Sequence, residues 1–473
     1  MLGYVNMNKL NATLCGLIVS SMMSMTTTLA EPIPIRGVVE GFYGTPWTHE
    51  ARLDIFDFCN THNLNAYIYA PKDDPYHRAK WREPYPEKKL EEIKFLIDSA
   101  KSNHVKFIFA VSPGLDLNYG STDDLNAMIQ KLTAIYDLGV RDFAIFFDDI
   151  EDKDGGAQAE FLNTIEEKFV NVHSDISPLI TVPTEYFRLD MIDELGRKPY
   201  TMNFLKTLSP EITVLYTGEG VVQPTLTDEQ YKLANDIYER NLGIWWNYPV
   251  NDYSVVADGE RNSKLALGAI DNLPRNSNIP AIFFNPMQNE QLSKIALATG
   301  ADYANDPENY NATNSWNKAI EEQFGNLSEE MKLFADHSQH LENNWANIGH
   351  EDGQKLRLAM DNLLKSDNNF NDNLQNVKNQ LQYLHSAVNE LQVKLPQNIL
   401  EECRPQLEQF ERIINADFTA LKILESKHDK NFIQKNKFER LLKTQLEEIR
   451  EHEKSAIISD KTCRAFIDEV LNE

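Results

Sequence analysis

The sequence predicts a parallel α/β barrel of the eight-stranded TIM type, followed by a helical region. Three observations carry this expectation. Between residues 34 and 287 short apolar runs alternate with longer amphipathic stretches, the pattern of parallel strands joined by helices. Eight such runs recur, at intervals of roughly 30 to 40 residues, as an eight-stranded barrel requires. Beyond about residue 300 strand-like runs give way to stretches rich in Leu, Glu, Gln, Asn and Lys with helical spacing.

In chain order, residues 1–30 come first and are expected to be a secretory signal. Lys9 is their one charged side chain, Leu14 to Met25 is a mixed apolar stretch, and Thr28-Leu29-Ala30 supplies small residues at the cleavage position. The mature chain would then start near Glu31 and be secreted or periplasmic, with the barrel over 31–300 and a helical domain over 301–473. No later segment has the length to span a bilayer.

The eight runs are Ile35 to Phe42, Ala66 to Ala70, Val105 to Val111, Phe143 to Phe147, Leu179 to Val182, Ile212 to Tyr216, Leu242 to Trp246 and Ala281 to Phe284. Their ends are more informative than their interiors. In order they lead into Glu40-Gly41-Phe42-Tyr43, Lys72-Asp73-Asp74, Ser112-Pro113-Gly114, Asp148-Asp149, Glu185-Tyr186, Thr217-Gly218, Asn247 with Asn251-Asp252, and Asn285. In a barrel of this type all strand ends converge on one face, so these scattered polar positions become a single pocket. A doubly wound open sheet is the rival, and it would gather its polar residues around one switch point.

In the helical region Leu374, Val377, Leu381, Leu384, Val388 and Leu391 recur at steps of three and four, and Pro396 stops the pattern. Further stripes at Leu407, Phe410, Ile414, Phe418 and Leu421, then at Phe438, Leu442, Leu446 and Ile449, extend it to an antiparallel bundle docked on the barrel. Of the four cysteines, Cys15 falls in the expected leader. Cys59, Cys403 and Cys463 are too few and too widely spaced for a disulfide scaffold; a Cys403–Cys463 bridge and burial as small apolar residues both stay open.

A formal net charge of −26 argues against nucleic-acid or anionic-membrane partners, because no broad basic stretch exists to neutralise phosphates. Composition otherwise excludes disorder, with 42% hydrophobic and 10% aromatic residues. His-Glu-x-x-His, phosphate-loop and nucleophile-elbow motifs are missing from the sequence, and no cofactor is implied.

Asp148-Asp149 is the most specific chemical signal. Two carboxylates side by side in a partly desolvated cleft cannot both ionise freely, so one tends to keep a proton, which is the chemistry of glycosidic cleavage. Consecutive residues of a regular strand face opposite sides, so both acids reach one site only if the backbone turns out of the strand there. The rival readings are a solvated acidic run with Glu151, Asp152 and Asp154, or a divalent-cation site.

Eight ordered blocks then carry a resemblance. Gly37 to Gly44, Tyr69-Ala70-Pro71-Lys72-Asp73-Asp74 through Trp81-Arg82-Glu83, Ser112-Pro113-Gly114-Leu115-Asp116 and Phe147-Asp148-Asp149 come first. Pro183-Thr184-Glu185-Tyr186, Trp245-Trp246-Asn247-Tyr248-Pro249, Asn251-Asp252-Tyr253 and Asn285-Pro286-Met287 follow. Over about residues 34 to 345 the chain resembles glycoside hydrolase family 84. These are β-N-acetylglucosaminidases that include O-GlcNAcases and bacterial enzymes historically called hyaluronidases, and the Trp-Trp-Asn-Tyr-Pro form looks like the bacterial branch.

The resemblance implies removal of terminal β-linked N-acetylglucosamine (GlcNAc) from a glycan or glycoprotein with retention, the substrate's own 2-acetamido group acting as nucleophile through an oxazoline. It implies Asp148 as the residue that orients the acetamido N–H, Asp149 as general acid and base, and Tyr186 as a phenol on the acetamido oxygen. Lys72, Asp252 and Asn285, with the Gly41 carbonyl, are implied as ligands of sugar hydroxyls. Asn247 is expected beside the acetamido group or holding Asp148, and Trp245, Tyr43 and Val222 as an apolar wall. Trp246 stands where other branches carry an acid. Structural alternatives accompany three of these: a lid on the core for Tyr186, ordinary packing for Trp245, and pairing with Asp73 or Asp74 for Lys72. An endo-acting hyaluronan or peptidoglycan hydrolase and an idle carbohydrate-binding protein are the alternative functions; oligomeric state is not legible.

Overall fold

A computed structural model describes residues 31–151, 153–253, 263–365 and 369–472. The expected leader over residues 1–30, with Cys15, lies outside the described residues, as does Asp152.

Eight parallel strands close into a barrel: β1 (Ile35–Glu40), β2 (Ala66–Tyr69), β3 (Lys106–Val111), β4 (Asp142–Phe146), β5 (Ile180–Val182), β6 (Thr213–Tyr216), β7 (Gly243–Trp246) and β8 (Ala281–Phe284). Each pairs in parallel with its sequence neighbours, and β1 closes on β8 through Ile35 opposite Ala281 and Val38 opposite Phe284. The strands are buried on both faces, hence their near-continuous apolar runs. Side chains alternate between two cores. Val39, Ile68, Ala110, Ala144, Phe146, Val182, Leu215, Trp245 and Phe283 fill the barrel interior, while Val38, Tyr67, Phe109, Phe143, Ile145 and Phe147 pack outward under the helices.

Helices α1 (His49–Thr61), α2 (Glu87–Ser102), α3 (Thr122–Asp137), α4 (Gly155–Ile165), α5 (Pro199–Thr207), α6 (Asp228–Tyr238) and α7 (Glu290–Asn305) follow the strands, with one departure from regular alternation. Between β7 and β8 the described residues hold no helix. Pro249, Gly268, Pro274 and Pro280 break helical continuity there. Instead Ser263 to Ile270 run buried, tied to the following region by the Leu267 N–H on the Ser338 carbonyl (2.7 Å) and the Trp316 Nε1–H on the Leu267 carbonyl (2.7 Å).

Past α7 come α8 (Ala312–Phe324), α9 (Ser328–Asp336), a hairpin of Leu341–Glu342 with Asn347–Ile348, α10 (Gln354–Lys365), α11 (Phe370–Lys394), α12 (Gln397–His428), α13 (Phe432–His452) and α14 (Cys463–Asn472). Short turns reverse α11 into α12 and α12 into α13, and these consecutive helices pack on each other. The expected stripes form their contacts: Val377, Leu381, Leu384, Val388 and Leu391 are buried, as are Leu407, Phe410, Ile414, Leu421, Leu442, Leu446 and Ile449. Leu374, Phe418 and Phe438 are only half-buried at the edges. Leu395 caps α11 and Pro396 opens α12, where its missing N–H costs nothing. Cys59, Cys403 and Cys463 are buried and free, which resolves the open pairing in favour of apolar packing. Among the described residues no helix is long and apolar enough to cross a membrane.

Candidate active site

A cavity of about 380 Å³ opens at the C-terminal ends of the barrel strands. All eleven residues singled out in the sequence line it: Gly41, Tyr43, Lys72, Asp148, Asp149, Tyr186, Val222, Trp245, Asn247, Asp252 and Asn285. Strand parity explains most of the convergence. Asp148 lies two residues past inward-facing Phe146, and Gly41, Asn247 and Asn285 stand in the same relation to Val39, Trp245 and Phe283. Trp246, of opposite parity, is buried in the outer core and does not line the cavity.

Asp149 breaks this parity by a backbone device. Its φ is +55°, in the left-handed region that aspartate tolerates better than most residues, and this turn brings its carboxylate to the same cavity as Asp148. The two acids then meet different surroundings. Asp148 is 9% exposed and ion-paired with Lys72, which is itself buried, and its Oδ1 is a buried acceptor with no protein partner. Asp149 stands exposed at the mouth. It accepts the Tyr43 hydroxyl on Oδ2 (2.7 Å) and the Tyr186 hydroxyl on Oδ1 (2.9 Å). Burial first, and then the charges of Asp149 and Asp148, push both phenols well above the ordinary tyrosine range, so they stay protonated donors.

Lys72 therefore pairs with neither Asp73 nor Asp74; Asp74 instead accepts the Tyr69 and Tyr85 hydroxyls (2.8 and 3.1 Å). Tyr43 likewise does more than line an apolar wall, since its hydroxyl holds Asp149 and its N–H donates to Asp252 Oδ2 (2.7 Å). The Asn247 amide is engaged with neighbours other than Asp148. Its Oδ1 accepts Trp245 Nε1–H (2.8 Å) and Asn285 Nδ2–H (3.0 Å), and its Nδ2 donates to the Val221 carbonyl (2.9 Å). Asn285 Oδ1 in turn accepts the Gly41 N–H (3.3 Å). This network fixes one wall before any ligand arrives. Gly41 is required there: a Cβ would stand 2.3 Å from the Trp245 ring.

Thr217, one of the strand-end positions read from the sequence, also lines the cavity, two residues past inward Leu215. Other residues there were given no role by the sequence. Tyr253 and Trp345 form the rim, their rings 5.2 Å apart, and Trp345 is 52% exposed. Trp345 sits on the hairpin beyond α9, and no strand pattern announced it. Arg78 donates to the Tyr43 hydroxyl (2.7 Å) and to the Asp149 carbonyl (3.0 Å). It lies in the stretch between the Lys72-Asp73-Asp74 and Trp81-Arg82-Glu83 blocks. Glu40 and Glu185, both at strand ends, are turned away instead. Glu40 is buried with Arg52, and Glu185 accepts the Thr201 hydroxyl (2.6 Å).

Comparison with known proteins agrees with this geometry. A family model described as beta-N-acetylglucosaminidase matches residues 36–336, and one described as hyaluronidase post-catalytic domain-like matches residues 355–467. The protein O-GlcNAcases of Rattus norvegicus and Mus musculus are each 35% identical over 224 residues, which is 46% of this chain but 24% of theirs. The chain thus matches only about a quarter of the length of these relatives. Among solved structures, CpGH84B superposes with a TM-score of 0.86 at 38% identity, covering 93% of this chain and 77% of that one. A variant of the Thermobaculum terrenum O-GlcNAc hydrolase gives 0.83 at 28% identity, covering 92% and 94%. The barrel, its cavity and the helical region that follows are those of one family of sugar-cleaving enzymes: the chain belongs to the beta-N-acetylglucosaminidases of glycoside hydrolase family 84.

Proposed function

We propose that the protein is a retaining exo-β-N-acetylglucosaminidase that removes terminal β-linked GlcNAc from glycans or glycoproteins by substrate-assisted catalysis. One observation carries the reading: consecutive Asp148 and Asp149 enter a single small cavity yet hold different partners, a lysine for one and two phenols for the other. Environments that differ this way suit two roles. Asp148, with its free Oδ1, accepts the acetamido N–H while the acetamido oxygen attacks the anomeric carbon. Asp149 gives its proton to the leaving glycosidic oxygen, and an oxazoline forms as the aglycone departs. Asp149 then takes a proton from water as that water opens the oxazoline, and the sugar leaves with its original configuration.

On sugar binding the Tyr186 hydroxyl turns from Asp149 to donate to the acetamido oxygen, and Asn247 stands beside the acetamido group. Lys72, Asp252, Asn285 and the Gly41 carbonyl bind sugar hydroxyls, with Trp245, Tyr43 and Val222 against the acetyl methyl and the ring. The cavity's 380 Å³ lies near the small end of the range for ligand sites, about 300–1,000 Å³, a size that suits one sugar unit. The expected leader favours a substrate outside the cytoplasm. Digestion of a long GlcNAc-containing polymer tests the reading: GlcNAc monosaccharide alone is expected. Oligosaccharides as first products would mean endo action, and no cleavage even of a chromogenic GlcNAc glycoside would mean an idle binding protein.

A further inference from the structure

We propose that Arg78 is the positioning residue for Asp149, holding both its backbone turn and its carboxylate through one guanidinium. Arg78 follows β2, in the segment between that strand and α2, and is half-buried. One prong, Nη2, donates to the Asp149 carbonyl (3.0 Å). The other, Nη1, donates to the Tyr43 hydroxyl (2.7 Å), which in turn donates a hydrogen bond to Asp149 Oδ2 (2.7 Å).

The first contact opposes a defined cost. A left-handed backbone is unfavourable for a residue with a Cβ, and a charge-assisted hydrogen bond to the carbonyl of that residue offsets part of such a cost. Without the turn the Asp149 side chain would follow strand parity toward the outer core. The second contact polarises a donor. A phenol that accepts from a guanidinium becomes a stronger donor to the carboxylate on its other side. The guanidinium also lies 5.6 Å from the centroid of the Tyr43 ring, so the ring is clamped as well as its hydroxyl. Lysine cannot do both jobs: the two acceptors need a planar fork.

The groups facing Asp149 are the Tyr43 hydroxyl from the β1 loop, the Tyr186 hydroxyl from the β5 loop, Arg78 from the β2 loop, and the Lys72–Asp148 pair beside it. Of these, Arg78 touches the Asp149 backbone directly and its carboxylate through Tyr43. The inference rests on the proposed role of Asp149 as general acid, and removing Arg78 should leave this acid held less well in place.

The test is kcat/KM on GlcNAc glycosides with a poor and with a good leaving group, for wild type, Arg78→Met, Arg78→Lys, Tyr43→Phe and Asp149→Asn. Arg78→Met is expected to lose about tenfold on the poor leaving group and little on the one that departs unaided. Arg78→Lys should fall between it and wild type, and Tyr43→Phe should show part of the same selective loss. Loss confined to poor leaving groups is not what general loss of structure produces. Equal loss on both substrates, or no loss on either, in both Arg78 variants would overturn the proposal; should Arg78→Met not fold, Arg78→Lys decides alone. Asp149→Asn separates the two levels. Equal loss on good and poor leaving groups in that variant removes the general-acid reading itself, whereas selective loss there without selective loss in the Arg78 variants removes only the role of Arg78.

Discussion

At the scale of single residues the site depends on parity and on one exception to it. Gly41, Lys72, Asp148, Thr217, Asn247 and Asn285 reach the cavity on the inward parity of their strands, and Asp149 joins them through its left-handed backbone. The roles proposed for the two acids differ in what a substitution should do. Asp149→Asn is expected to lose about 10²–10⁴-fold in kcat/KM on substrates whose leaving group needs a proton, and little on those that depart unaided. Steady-state rates across a series of aryl leaving groups measure this as a steeper dependence on leaving-group pKa. Asp148→Asn should depress every member of the series alike. The acid pair was legible from sequence because an apolar strand ending in two carboxylates is unusual. Glu40 and Glu185 are also strand-end acids but have outward parity, and only the core packed around them revealed that they face away from the cavity. Arg78 and Trp345 were hidden for a different reason: each comes from a segment that follows no strand periodicity at that point, and contact across the fold alone makes them part of the site.

At the scale of elements, the β1–α1 unit carries a buried charge pair that holds the loop after β1, which lines the cavity. Arg52 Nη2 and Nε donate to Glu40 (2.7 and 2.8 Å), the Tyr67 hydroxyl donates to the same carboxylate, and Glu40 Oε1 accepts the Trp47 N–H (3.1 Å). Both charged residues are buried, at 0% and 4% exposure. Arg52→Met would strand the Glu40 carboxylate, and a loss of about 3–5 kcal/mol is expected, read as a lower urea midpoint. A Glu40→Gln/Arg52→Met double variant should recover much of it, since no uncompensated charge then remains. Strands were the most legible elements, because burial on both faces writes itself as apolar runs. The lack of a helix among the described residues between β7 and β8 was not, for the pattern of alternating runs persists across that interval while prolines and a glycine interrupt the segment itself. The bundle stripes fell mostly as expected. Their edge members, Leu374, Phe418 and Phe438, are half-buried because the groove between α11, α12 and α13 stays partly open there.

At the scale of the whole molecule, the barrel and the helical region meet through a carboxylate on a helix end. Glu402 of α12 accepts the N–H groups of Gln291 and Leu292 (both 3.0 Å), satisfying the first turn of α7 from across the interface. Glu290, Lys294 and Asp54 complete the cluster. Burial, opposed for Glu402 by those N–H groups and for Glu290 by Lys294, pushes both glutamates up to about 7. The sign follows directly. Folded-state pKa values above the unfolded carboxylate range mean that the stabilising contribution is fully present below about pH 4.3 and is lost as pH rises through about 7. Glu402→Gln keeps an acceptor for the helix end and removes one titration, so its stability should fall less than wild type's between pH 5 and 8, as thermal unfolding at a series of pH values would register. An unchanged slope would mean that Glu402 does not titrate at this junction.

The claim on which the account turns is that the nucleophile belongs to the substrate and not to the protein. Comparing hydrolysis of otherwise identical GlcNAc glycosides bearing N-acetyl, N-fluoroacetyl, N-difluoroacetyl and N-trifluoroacetyl groups tests it most directly. A steep fall in kcat/KM with each added fluorine is the expected result, because fluorine drains the attacking carbonyl oxygen of electron density. Equal rates across the series would contradict substrate assistance and return the search for a nucleophile to the carboxylates of the cavity.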